Sequence, residues 1–135
     1  MGCKTVGRFV YDSAEAQAVA EGGALVYASA ATSNGCVRDA GRGVVSIQRP
    51  GLYNVFFNAV LEATAAGPVG LRLRRNGVAV PGATGAVTLG AAGDLATVAF
   101  STPVTVRCCA GDALEVVADA ATSATVAALI VEKAA

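Results

Sequence analysis

Apolar and polar side chains alternate along most of this chain with a period of two, the repeat of a β-strand with one face buried. The clearest run is 51–62, where Tyr53, Val55, Phe57, Ala59 and Leu61 occupy the odd positions. On this pattern strands are expected at 4–11, 24–29, 43–48, 51–62, 69–75, 77–80, 85–89, 95–107, 112–119 and 124–133. Glycine, proline and asparagine separate them. Asn76-Gly77 lies between Leu71-Arg72-Leu73-Arg74 and Val78-Ala79-Val80, the signature of a two-residue type I′ hairpin. Pro50-Gly51 opens one strand, Pro81-Gly82 closes another, and Ala110-Gly111-Asp112 is a tight turn. Pro103 cannot donate to a ladder, so its strand is expected at a sheet edge or a bulge. Turns about ten residues apart indicate an all-β sandwich or jelly roll, with no βαβ unit.

Residues 13–23 (SAEAQAVAEGG) form the one helix candidate, with Ser13 as its cap. The segment is too short to hold as a helix alone, and an extended arm is expected instead. The resulting division is an N-terminal arm over 1–23 and a jelly-roll domain over 24–135.

The 135 residues make 13.3 kDa, enough for one small core. Ten Lys+Arg balance ten Asp+Glu, which removes the electrostatic footprint of a nucleic-acid binder or polybasic membrane anchor. The apolar fraction is 54% and the charged fraction 15%, so the chain is not of the disordered class. The apolar residues are mostly Ala and Val, which bury little area each. That composition, with low charge, favours burial of further surface between copies. The start, Met1-Gly2-Cys3-Lys4, lacks the apolar stretch of a secretory signal, and cytoplasmic synthesis is expected.

Histidine is absent, which excludes imidazole acid–base chemistry and Ser-His-Asp triads. Cys3, Cys36, Cys108 and Cys109 form no C-x-x-C pair and read as buried thiols, with a disulfide or four-thiolate site as lesser alternatives. The carboxylates are scattered, and Asp94 and Asp112 read as turn residues. Ala40-Gly41-Arg42-Gly43 lacks the Lys-Ser/Thr of a phosphate loop. Arg72, Arg74 and Arg75 read as a solvated edge, with an acidic or glycan contact as the sharper alternative. No catalytic constellation, cofactor site or metal site is expected.

Four motifs resemble, in order, those of the tumour-necrosis-factor-like and complement globular-head jelly rolls. Arg49 to Phe57 is similar to the P-G-x-Y-x-F/V strand, and Val69 to Gly77 to the L-x-x-N-G hairpin. Cys109 to Leu114 resembles the G-D-x-L turn, and Val126 to Val131 the closing strand, with Ala where the family often has Phe and Gly. The resemblance covers 24–133 and is closest in kind to bacterial and phage members, such as the C-terminal domains of collagen-like spore-surface glycoproteins and small trimeric virion proteins. It implies a ten-strand antiparallel jelly roll and a homotrimer.

The even positions of 51–62 include Leu52, Phe56 and Val60, too apolar for a solvated face. By resemblance, Phe56 occupies the place of the family's inter-subunit aromatic. The expected trimer interface is therefore Leu52, Asn54, Phe56 and Asn58, with Leu129 and Val131 beside them. Arg8, Phe9 and Tyr11 of the arm are expected to anchor a partner protein or to form an extra strand on their own subunit. The functional expectation is a non-enzymatic trimer decorating a particle, foremost a phage virion surface. The alternative is a receptor- or glycan-binding adhesin of a cell or spore surface, reading through loops 32–42, 64–68 and 120–124.

Overall fold

The alternation seen in the sequence organises two five-stranded antiparallel sheets around one core. A computed structural model describes residues 6–33, 37–107 and 111–134. The strands are β1 (Val6–Val19), β2 (Ser29–Ser33), β3 (Val37–Gly41), β4 (Val44–Ile47), β5 (Gly51–Glu62), β6 (Gly67–Arg75), β7 (Val78–Leu89), β8 (Leu95–Val106), β9 (Asp112–Ala118) and β10 (Thr122–Lys133). The first sheet has the order β2-β1-β10-β5-β8 and the second β3-β4-β9-β6-β7. Beside the consecutive pairs β1–β2, β3–β4 and β6–β7, strands distant in sequence pair, β1 with β10, β10 with β5, β5 with β8, β4 with β9 and β9 with β6, as in a jelly-roll sandwich. Ten strands were expected and ten form among the described residues, with several boundaries moved.

The largest change is at the N-terminus. Residues 6–19 are one strand hydrogen-bonded between β2 and β10, so this stretch is integral to the sandwich instead of a separate arm. The segment once open to a helix is extended, with a register break between Asp12 and Gln17. The Gln17 side chain then holds the following connection. Its Nε2 donates to the Val26 carbonyl and its Oε1 accepts from the Val26 amide, both at 2.9 Å. Residues 24–29 are correspondingly not a strand of their own; Ala24 makes a single bridge to Val117.

Two further segments differ for local reasons. Pro81-Gly82 does not end a strand. β7 continues to Leu89 because its register against β6 shifts between Arg72 and Arg74, and the extra residues bulge there. Within the expected loop 32–42, residues 37–41 form β3, an edge strand paired to β4. Pro103 lies, as expected, on an edge strand, β8.

The turns follow their chemistry. Asn76 (φ 52°) and Gly77 (φ 82°) make the type I′ hairpin between β6 and β7. Asn76 also locks this tip to β9. It donates from Nδ2 to Asp112 Oδ1 at 2.9 Å and accepts from the Ala113 amide at 2.9 Å. Arg75 completes the knot by an ion pair with Asp112 at 2.6 Å. Asp112 is thus a strand residue with two partners, beyond its expected part in a turn. Arg42 and Gly43 form a second two-residue hairpin, both with positive φ. A Cβ on Gly43 would sit 2.1 Å from the Leu25 carbonyl oxygen.

The core is one cluster drawn from both sheets. Phe9, Tyr53, Phe57, Leu61, Leu71, Leu73, Leu114 and Leu129 are its bulk, and Ala59, Ala83, Ala118, Ala124 and Ala127 let the sheets approach. Phe57 stacks on Phe100 with ring centroids 5.2 Å apart. Tyr27 lies under the β1–β2 connection against Phe9, and its buried hydroxyl has no partner among the described residues. Burial, reinforced by the Asp39 carboxylate, pushes its ionisation well above the usual tyrosine range.

Two substitutions test this packing. Gly43→Ala combines a positive φ with a backbone clash, and we expect it to cost about 1–3 kcal/mol in urea unfolding; an unchanged midpoint would contradict the close approach to Leu25. Removing an unpaired buried hydroxyl relieves its desolvation, so Tyr27→Phe should be neutral or stabilising by about 1 kcal/mol. Because the folded ionisation is raised, Tyr27's contribution is complete below the unfolded tyrosine pKa of about 10 and declines as pH climbs beyond it. The wild-type melting temperature should therefore fall in that alkaline range, and by less in the variant.

Candidate functional site: the outer face of the first sheet

An antiparallel ladder sends alternate side chains to opposite faces, so pairing register decides which residues meet outside the sandwich. β5 is the reference because its odd side chains fill the core. The even ones stand outside with their neighbours in four rows. The first is Val6, Glu132, Asn54 and Pro103, and the second is Arg8, Ile130, Phe56 and Ser101. The third is Val10, Ala128, Asn58 and Ala99, and the fourth is Asp12, Val126, Val60 and Thr97. Leu52 extends this face beyond the first row, opposite Thr105.

The middle of this surface is apolar. Phe56 is 43% exposed and Leu52 38%, unusual values for large hydrophobic side chains on the face of a sheet. Val10, Val60, Val126 and Ile130 are half-buried around Phe56 and Asn58. Asn54 and Asn58 interrupt the patch along β5, and Arg8, Asp12 and Glu132 border it.

Of the residues expected at an interface, Leu52, Asn54, Phe56 and Asn58 share this outer face. Leu129 and Val131 do not. They pair with Phe57 and Val55, point inward and are fully buried in the core. Antiparallel pairing sets even positions of β10 beside even positions of β5, so Ala128 and Ile130 occupy the places expected for them. Among the expected anchor residues, Phe9 is also a core residue, opposite Leu129. Tyr11 is half-buried, its hydroxyl donating to the Glu15 carbonyl, and Arg8 alone of the three is exposed. The signal for Ile130, Val126 and Val10 was present as apolar residues on both faces of β10 and β1, but it needed the register to be read.

Other candidate chemistry is placed as follows. β6 lies between β9 and β7, so Arg72 and Arg74 stand on the outer face of the second sheet and not on an edge. They line a shallow cleft with Glu21 and Asp119. Asp119 is tied down by accepting from the Gly70 amide at 2.6 Å. Of the expected recognition loops, 64–66 and 120–121 meet at one end, where Thr64 Oγ1 donates to the Ala121 carbonyl. Cys3, Cys36, Cys108 and Cys109 lie outside the described residues. Among the described residues, no three acidic side chains converge as a metal site.

No family profile and no curated protein matches the sequence. Solved structures do match the fold. The structure of Eiger TNF from S. frugiperda superposes with a TM-score of 0.82 at 13% identity, covering 98% of this chain and 93% of that one. Murine APRIL at pH 5.0 gives 0.73 at 12% identity, with 98% and 100% covered. The globular domain of zebrafish complement 1qA protein gives 0.69 at 14%, with 96% and 95% covered. These likenesses span nearly the whole sandwich, β1 included. The chain has the jelly-roll fold of the tumour-necrosis-factor and complement 1q globular domains.

Proposed function

We propose that this protein is a non-enzymatic, self-associating jelly-roll module that forms a homotrimer through the outer face of its first sheet. The observation that carries the reading is the apolar patch of Phe56, Leu52, Ile130, Val126, Val60 and Val10. A face of this kind remaining in water would be unfavourable by about 25 cal/mol per Å² of apolar area. Three copies meeting around Phe56 would remove it. Asn54 and Asn58, between apolar neighbours, would then fix the mutual register, since an amide buried out of register loses its hydrogen bonds.

We further propose that the trimer decorates a particle surface, foremost a phage virion. The short connections support a structural module over a glycan reader. Residues 63–66, 76–77, 90–94 and 119–121 carry no aromatic ring, and the chain's aromatics other than Phe56 are buried or half-buried. Sugar recognition commonly stacks on such rings.

Phe56→Asp is the test of the assembly. The position is exposed in the subunit, so the fold should persist by circular dichroism. Sedimentation velocity should show loss of the trimer, with monomers or aggregates in its place. A soluble trimer in this variant would remove Phe56 from the interface. On purified particles, a copy number divisible by three would agree with decoration, and absence from them would exclude it.

A further inference from the structure

The Asn76-Gly77 tip of the β6–β7 hairpin joins a chemically labile pair of residues to a set of contacts that restrains it. An asparagine side chain is exposed to attack by the next backbone nitrogen, and most so when glycine follows, since glycine has no Cβ to obstruct the approach. Both residues are exposed, and a Cβ placed on Gly77 would meet open space. Gly77 lies between the two strands, and its amide has no hydrogen-bond partner among the described residues. The nucleophile is therefore free.

The asparagine is not. Its backbone amide donates to the Ala113 carbonyl at 2.8 Å. Its Nδ2 donates to Asp112 Oδ1 and its Oδ1 accepts from the Ala113 amide, both at 2.9 Å. Asp112 is itself held by Arg75, whose Nε lies 2.6 Å from Oδ2. Closing a cyclic imide requires Asn76 Cγ to turn onto the Gly77 nitrogen. That turn takes Nδ2 off Asp112 and Oδ1 off Ala113.

We propose that Asn76 is a deamidation site gated by the seating of this tip on β9. While the tip is seated, its bonds to Asp112 and Ala113 hold Cγ in place. When the tip lifts, the Gly77 nitrogen attacks Cγ. The N–Cγ bond forms, the Cγ–Nδ2 bond breaks, and Nδ2 leaves as ammonia with the proton that Gly77 gives up. Water then opens the imide. Cleavage at Cγ yields aspartate, and cleavage at the main-chain carbonyl yields isoaspartate, whose main chain runs through Cγ. Either product carries a carboxylate where Asp112 had accepted a hydrogen bond. Two carboxylates at that distance repel, and Arg75 is already engaged by Asp112. The modified tip does not reseat, so a transient opening becomes a permanent one. The site lies on the second sheet, goes beyond the face centred on Phe56 and does not depend on it.

Peptide mass spectrometry after incubation at mildly alkaline pH, in buffer and in urea, follows the conversion. Asn76 should convert slowly in the folded protein and fast in the unfolded chain. Asp112→Ala removes the acceptor for Nδ2. It should raise the folded-state rate about tenfold, the weight of one charge-assisted hydrogen bond, and leave the unfolded-state rate unchanged. Circular dichroism checks that this variant folds. Arg75→Gln, which loosens Asp112 without removing it, should act in the same direction and more weakly. Asn76→Asp reproduces one product, and hydrogen exchange at the Ala113 amide should quicken in it. Equal rates in folded and unfolded chains would overturn the proposal. So would folded-state rates that neither Asp112→Ala nor Arg75→Gln changes, or unchanged exchange at Ala113 in Asn76→Asp.

Discussion

The pairing of β5 with β10 is the constraint on which the rest of the molecule depends. Leu129 meets Phe57 and Val131 meets Val55 on the inner face, while Ile130 meets Phe56 on the outer face. A slip of one residue would place Ile130 and Ala128 in the core and expel Leu129 and Val131. The core holds the register because Phe57, Phe100 and Leu129 occupy one layer and admit little change in volume. β1 then adds Phe9 to that layer, and β8 closes the other side. The same register gathers the outward side chains of four strands into one apolar patch. Core and candidate interface are two consequences of a single ladder.

The ends of the sandwich are fastened by a few polar contacts. The Asn76, Arg75 and Asp112 group ties the β6–β7 hairpin to the start of β9. Asp119 ties the end of β9 to the beginning of β6, and Gln17 holds the long connection across the top of β1. Such contacts are modest individually, but each sits where a strand changes direction and backbone groups would otherwise lack partners.

Much of the fold was legible locally. β5 was readable to its boundaries because its alternation is strict, and Asn76-Gly77 because its turn demands positive φ. Pro103 marked an edge by its missing donor. The segments misread share a different cause. β1 looks like a free arm because Ser13 to Ala16 breaks its register, yet neighbours on both sides hold it. β7 looks like two strands because a bulge around Pro81-Gly82 mimics a turn. β3 has one buried residue, Val37, and so no pattern to display.

What the amino-acid sequence by itself determined is the class of fold, its principal turns, and the presence of more apolar faces than the core of the sandwich consumes. These are set by nearest-neighbour properties: the period of two, the steric freedom of Gly and Asn, and the lack of a donor in Pro. Only the tertiary structure decided which apolar face is buried. β10 is apolar on both sides, so Leu129 and Ile130 are equivalent in pattern and differ only by what β5 sets opposite them.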